Sequence, residues 1–387
     1  MRNISAIVLL LAFTGCVEPY DFQVTETVEV LVVDAQLTNE QKAHRVELSL
    51  SRAIDSDTST KVTGADVRIV EDGSLEISFN ESNPGVYETH PSVMGKTGSS
   101  YVIHIKLSNG NTYQSTPQVL SPSVPIDSVY GHYIEIPSDQ NAEIKKGIQF
   151  FVDTHDESND VSFIRYEYKE DFEIKVPYPS GYEWDSNTQT FGPRSEDIGT
   201  CYGDGQNRNL IIASTSGLSE NRLNAFPIQM VGVDDPQLEH RYALTVVQYM
   251  LNPSAYQYYK NLQENNVSSG SFFDKQKGTI AGNIFNENNS SEPILGFFEV
   301  AGVSMITKFF NSSDFRDQGF IPNYDFQKCN PQTALDTVQI NDLNTELLSS
   351  YNIVEFPVTV PNGAIIATVP CSDCRVYADN VKPDYWD

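Results

Sequence analysis

Tyr101-Val-Ile-His-Ile-Lys-Leu107, then Ser108-Asn-Gly-Asn111, then Thr112-Tyr-Gln-Ser-Thr116, is the stretch that decides the fold class. Apolar and polar side chains alternate on both sides of an Asn-Gly pair. Period two is the strand period, and Asn and Gly accept the positive φ angles of a two-residue turn, so the stretch predicts an antiparallel β-hairpin. Working outward, the same patterning marks 28–34, 44–50, 65–70, 75–79 and 85–89, with turn residues such as Glu71-Asp-Gly73 between them. Short strands at this spacing predict an immunoglobulin-like sandwich across 28–120. Pro117, Pro122 and Pro125 then predict a stiff hinge.

A second β region starts at Ile126, with strands expected over 126–136, 147–154, 161–168, 172–177, 241–251, 278–284, 293–300 and 302–309. Residues 178–223 are rich in Gly, Pro, Ser and Asn and read as a long ordered loop held by Cys201. Asn252-Pro253 predicts a helix start, and Tyr256, Tyr259 and Leu262 give the helix 253–264 an apolar face. A second helix is expected over 341–350. The expected fold class is mainly β: an N-terminal immunoglobulin-like sandwich plus a larger β domain, 126–387, with one or two packed helices.

The chain opens with Met1-Arg-Asn3, an apolar run over 4–13, and Thr14-Gly15-Cys16. This is a secretory signal peptide over 1–15. Its ten apolar residues span only about 15 Å as a helix, half a bilayer core. Phe13-Thr-Gly-Cys16 resembles the bacterial lipobox, with Phe13 where Leu is usual. That resemblance implies acylation of the Cys16 thiol, palmitate among the chains, and a polar tether over 16–27. Val17 stands where an Asp commonly signals inner-membrane retention, which points to the outer membrane. Glu18 and Asp21, close to the anchor, resemble surface-export signals of Bacteroidota lipoproteins and point to the cell surface. Loss of Arg2 with the leader takes the net charge from −27 to −28. A nucleic-acid partner needs a basic footprint, and this chain carries none.

Four further cysteines, Cys201, Cys329, Cys371 and Cys374, suit two structural disulfides in an oxidising envelope, with all three connectivities open. Cys371-Ser-Asp-Cys374 lacks the second pair or nearby His of a zinc site, and the βαβ context of a redox motif. Gly199-Thr-Cys201-Tyr-Gly203 has nucleophile-elbow spacing but sits in a β-rich stretch, so a disulfide role is expected for Cys201. Asp153-Thr-His-Asp-Glu157, Asp204-Gly205 and Asp234-Asp235 read as polar turns. No catalytic residue, metal ligand or cofactor is expected. Tyr178, Tyr182 and Trp184, in the Pro/Gly/Ser-rich loop, are candidate stacking residues for a glycan or partner surface. Tyr385 and Trp386 are expected to dock on the last domain.

Several segments together resemble one family. Cys16-Val-Glu-Pro-Tyr-Asp21, Leu31-Val-Val-Asp34, Val46-Glu-Leu-Ser-Leu-Ser-Arg52, Leu251-Asn-Pro253, Gly282-Asn283, Leu295-Gly-Phe-Phe-Glu-Val300, Cys371-Ser-Asp-Cys374 and Lys382-Pro-Asp-Tyr-Trp386 occur in this order. They resemble a family of Bacteroidota outer-membrane lipoproteins known as a domain of unknown function. The resemblance implies an envelope protein, often encoded beside a TonB-dependent receptor, and carries no catalytic residues. The leading expectation is a non-enzymatic accessory lipoprotein that partners such a transporter in nutrient capture or receptor assembly. A glycan- or peptide-binding surface module, and a hydrolase of unrecognised type, are the alternatives.

Overall fold

The computed structural model describes residues 29–51, 59–137, 144–185, 187–188, 190–268, 280–322, 329–334, 350–356 and 363–386. The expected leader, Cys16 and tether lie outside these residues, as does the helix expected at 341–350 apart from Ser350.

Among the described residues the first strands are β1 (Leu31–Thr38), β2 (Arg45–Leu50), β3 (Asp66–Glu71) and β4 (Leu75–Ser78). There follow β5 (Asn80–Asn83), β6 (Val86–Glu88), β7 (Ser100–Lys106), β8 (Thr112–Ser115) and β9 (Gln118–Val119). Three long strands come next, β10 (Ile126–Pro137), β11 (Ile144–Asp156) and β12 (Phe163–Lys175). Short strands β13 (Tyr182–Asp185), β14 (Thr190–Pro193), β15 (Thr200–Gln206) and β16 (Ile211–Ser214) precede β17 (Asn221–Gly232) and β18 (Arg241–Met250). Helix α1 (Pro253–Ser268) leads to β19 (Ile284–Asn286) and β20 (Ile294–Asn311). β21 (Gln332–Ala334), β22 (Tyr351–Glu355) and β23 (Ala364–Thr368) are the last strands among the described residues, followed by the single turn α2 (Val369–Ser372).

The fold is mainly β, and one nine-stranded sheet organises it, in the order β15-β12-β18-β20-β1-β2-β6-β5 with β16 also on β12. The alternation of β20 shows how the sheet is used. Phe298, Val300 and Phe310 face inward, whereas Phe297, Ala301 and Val303 face the other side. At one end the inner face packs on the β19-β8-β7-β3-β4 sheet, burying Val33, Leu37, Leu48, Ile69, Tyr101 and Ile103. At the other end it packs on the β10-β11-β17 sheet, burying Phe150, Val152, Tyr166, Tyr242 and Leu244. Each such side chain contributes about 1.5–3 kcal/mol of burial, so both cores are substantial. The outer face carries α1.

The expected hairpin is present, with β7 and β8 antiparallel and His104 opposite Gln114. But Gly110 alone of the Asn-Gly pair has a positive φ, and the Leu107 N–H to Asn111 carbonyl bond closes a three-residue loop instead of a two-residue turn. Other expectations need correction. The division at 120–126 is crossed by the large sheet, because β1 pairs in parallel with β20, Leu31 opposite Ile294 through Thr38 opposite Ala301. The residues expected to complete only the second domain therefore also complete the first sandwich. Nor is the proline segment, expected as a stiff hinge, a hinge: it is tied to the sheets. The Val124 carbonyl accepts from Gln248 and Ser304, and the Pro125 carbonyl accepts from Thr154. Gly302 does not end a strand. A Cβ there would stand 2.4 Å from the Ser121 carbonyl oxygen, so glycine lets the connecting segment cross β20 closely. Similarly, the strands expected at 161–168 and 172–177 are one strand, β12. The loop expected over 178–223 contains β13 to β16 and the start of β17.

His44 precedes β2 and is almost fully buried at 1% exposure. Its Nδ1 accepts the Thr38 N–H, and its backbone N–H donates to Thr89 Oγ1. Burial, then Lys42, push its imidazole down to about 4. The folded state therefore excludes a proton that the unfolded chain binds near pH 6.5. We expect stability to be intact above pH 6.5 and to fall as the pH drops from there toward 4, by up to about 3 kcal/mol. Urea denaturation at pH 7 and 4.5 should show this loss shrinking in His44→Asn. An unchanged loss would assign it to other groups.

Candidate functional site

Helix α1 starts where Asn252 caps it: the Asn252 side chain accepts the Ala255 N–H at 2.9 Å, and Pro253 occupies the first turn, where no donor is needed. The helix extends to Ser268, four residues beyond the expected end. Ala255 and the rings of Tyr256, Tyr258 and Tyr259 pack on Tyr249, Phe297, Ala301 and Val303 of the outer sheet face. Phe297 stacks on Tyr258 with ring centroids 4.9 Å apart, and Phe163 on Tyr256 at 4.5 Å.

Beneath this apolar contact lies a charged layer that crosses the sheet. Arg165 of β12 donates from Nε and Nη2 to the two carboxylate oxygens of Glu299 on β20, at 2.9 and 2.7 Å. The two side chains are only 7% and 2% exposed. Arg165 Nη1 also bonds Glu167, and the guanidinium lies 4.0 Å from the Tyr249 ring centroid and 5.3 Å from that of Tyr259. Gln36 of β1 donates to Glu299 at 2.7 Å. Burial pushes the Glu299 carboxyl up, but Arg165 and the bonds from Gln36 and Tyr259 prevail and hold it below the usual carboxylate range. For Arg165 the same attraction outweighs burial and raises its pKa well above the usual value.

Next to this layer is a groove of about 520 Å³ between α1 and the paired starts of β1 and β20. Val32, Leu295, Phe297, Tyr258, Tyr259 and Leu262 make its apolar wall, and Asp34 supplies the carboxylate. The floor depends on close backbone approach. Gly296, at φ +107°, sits opposite Val33 in the parallel ladder, and a Cβ there would lie 1.8 Å from the Val33 carbonyl oxygen. A Cβ on Gly282 would lie 1.7 Å from the Gly296 carbonyl oxygen. The Asn283 amide then bonds both backbone groups of Phe298, which locks the second layer in place. Asp34 stands opposite Glu47 across the β1–β2 ladder. Burial, then Glu47 and Glu299, raise its carboxyl above the ordinary Asp value, although the residue opens to solvent on one side.

The sequence-derived candidates lie elsewhere. Tyr182 and Trp184 are half-buried on β13; Tyr182 meets Phe356 edge-on at 4.8 Å, and Trp184 meets Phe191 at 4.8 Å. Tyr182 packs with the small cluster of Ile353, Ala364 and Ile366. Tyr178 is pinned by its backbone N–H to the Cys371 carbonyl. The four cysteines form Cys201–Cys374 and Cys329–Cys371, so neither member of Cys371-Ser-Asp-Cys374 pairs with the other. Cys201 lies within β15, with no strand-to-helix elbow. Asp156 accepts from Ser158 and Val161 and caps a turn, while Asp235 accepts from the Gly232 N–H. Asp204 lines a polar cleft beside Glu170, whose carboxylate takes bonds from Tyr242, Gln237 and Gln229. Trp386 is buried against Phe309 and Tyr202. Among the described residues, no three His, Cys, Asp or Glu side chains converge as a metal site requires.

Fold and groove together define a mainly β protein with two cores on one shared sheet and a cleft covered by a helix. Residues 17–307, about three quarters of the chain, match the family described as "Domain of unknown function (DUF4249)", and the chain belongs to that family. No curated protein matches it. Among the described residues, no helix is long and apolar enough to cross a membrane.

The buried ion pair makes a direct prediction. Arg165→Met leaves Glu299 charged and unpaired, and should cost about 3–5 kcal/mol in urea denaturation. The double change Arg165→Met with Glu299→Leu, which removes both charges, should recover most of that loss. A double variant as unstable as the single would contradict the pairing.

Proposed function

We propose that this protein is an outer-membrane lipoprotein, held by acyl chains on Cys16, that acts by binding, as an accessory to a TonB-dependent transporter. The observation that carries the reading is where the chain enters the fold. The tether leads through Glu29 and Val30 into β1, and β1 itself lines the groove through Val32 and Asp34. Leu31 lies fifteen residue steps from Cys16, a reach of about 50 Å in an extended chain. The groove is thereby kept within that distance of the anchor, where a membrane transporter would stand.

Chemistry of the groove supports binding. Its charged groups are committed to one another or to solvent, and the only strongly desolvated pair, Arg165 with Glu299 among the described residues, is closed by mutual hydrogen bonds rather than poised beside open space. The apolar wall with one carboxylate is the composition of a recognition site: area for affinity and one polar group for orientation. The transporter partnership rests on the family resemblance described above. A high negative charge, −28 after loss of the leader, keeps such a body soluble and attracts basic loops on a partner.

The test is fractionation and mild-detergent purification of the native protein and of Cys16→Ser. The native protein should float with outer membranes and bring down a barrel protein, and Cys16→Ser should lose both. A Cys16→Ser protein that stays with the membrane would overturn the anchor, and native protein recovered with no barrel partner would overturn the accessory role.

A further inference from the structure

We infer that the groove between α1 and the β1–β20 ladder takes an organic cation on an apolar stem, a primary ammonium or guanidinium, with Asp34 as its counter-ion. This deepens the binding role proposed above and rests on it. Three observations converge. The first is the carboxylate. Among the described residues Asp34 has neither an ion-pair nor a hydrogen-bond partner, whereas its neighbours Glu47 and Glu299 have theirs. Like charges directly opposite each other in a ladder are destabilising, and Asp34 faces Glu47 in just that way. A bound cation relieves the repulsion.

The second is the sign of the surroundings. Arg165 is claimed by Glu299 and Glu167, and Arg45 and Lys61 by Glu47. With Asp34, four carboxylates stand against three cations, an excess of one. An anionic ligand would add to that excess, and a neutral one would leave Asp34 crowded and unpaired. A cation completes the balance.

The third is the wall. Tyr258, Tyr259 and Phe297 form a contiguous aromatic face, with Tyr258 and Tyr259 centroids 5.4 Å apart and Tyr258 stacked on Phe297. Aromatic faces attract ammonium and guanidinium groups, more so when water is partly excluded, and their area also receives a hydrocarbon stem. Arg165 shows that this helix–sheet layer already holds a guanidinium between two tyrosines. Asp34 lies near enough for its charge to act, after burial, in raising the Tyr258 hydroxyl. At about 520 Å³ the cleft has room for a lysine- or arginine-sized group and adjoining apolar atoms.

Two sources share this chemistry: a free amine, and a Lys or Arg side chain flanked by apolar residues in a peptide. Calorimetry on the acylated protein in zwitterionic nanodiscs, with empty nanodiscs as the blank, separates them. The probes are n-pentylammonium, pentanol, pentanoate, and the capped tripeptide Leu-Lys-Leu beside Leu-Gln-Leu. Pentylammonium should bind at least tenfold more tightly than pentanol or pentanoate. Asp34→Asn should cost the ammonium tenfold or more and leave pentanol unchanged, while Tyr258→Leu should weaken both. A Lys peptide that binds more tightly than pentylammonium assigns the site to a protein partner; the reverse order assigns it to a free amine. Equal binding of pentylammonium and pentanol, or ammonium binding that ignores Asp34→Asn, would overturn the inference. The anchor and barrel co-purification are measured on the same unsubstituted protein in parallel: failure to bind pentylammonium with anchor and complex intact refutes the groove assignment alone, and loss of either with cation binding intact refutes only the accessory role.

Discussion

Strand β20 belongs to two ladders at once, and the rest of the architecture depends on that. Its eighteen residues, about 60 Å of extended chain, pair with β1 in parallel over their first part and with β18 antiparallel over their second. One side of the strand feeds both cores in succession, Phe298 and Val300 into the first, Phe310 into the second. The other side presents Phe297, Glu299, Ala301 and Val303 to α1. Joining residues 31–38 to 294–301 costs considerable loop entropy. It is offset by backbone ladders on both edges of β1 and by nearly complete burial of its inward side chains.

The same strand places a charge where an apolar residue would be simpler. Glu299 is the one acid on the outward face of β20 between Phe297 and Ala301, and Arg165, reaching across from β12, makes it tolerable with help from Gln36 and Tyr259. Buried pairs of this kind add little net stability over an apolar substitute, but they penalise every arrangement that separates the partners. Here the pair fixes the relation between β12, β1 through Gln36, and α1 through the Tyr259 ring. The groove beside it inherits that rigidity, which favours the binding proposed for it, because a site held by locked neighbours loses less on binding than one that must be ordered first.

Local chemistry was legible in the sequence. Asn109-Gly110 marks its turn, the patterning of 28–34 marks a strand that in the fold runs from Leu31 to Thr38, and Asn252-Pro253 marks the start of α1. What depends on partners distant along the chain was not. Nothing within 28–120 signals that its sandwich is completed by strands after residue 280, because a parallel pairing leaves no turn behind it. Gly302 reads as an interruption, yet its lack of a side chain serves a crossing backbone rather than a break. The disulfide residues were recognisable while their partners were not, since pairing is set by the fold. The groove was visible only as scattered fragments. Leu31-Val-Val-Asp34, Gly282-Asn283 and Leu295-Gly-Phe-Phe-Glu-Val300 meet there in space, and Leu251-Asn-Pro253 begins its covering helix. An acid at position 299 in an otherwise apolar run was the one local sign of a buried charge. By contrast, Tyr182 and Trp184 drew notice as aromatics in a polar loop, and both lie half-buried against other rings.

A shared strand implies that the two cores cannot open separately. Native-state hydrogen exchange, followed amide by amide in rising urea, tests this most directly. The account predicts that the slowest amides of β1 and β7 open with the same free energy as those of β11 and β18, equal to that of global unfolding. Exchange of β1 and β7 through a separate opening of lower free energy, with β18 still protected, would contradict it.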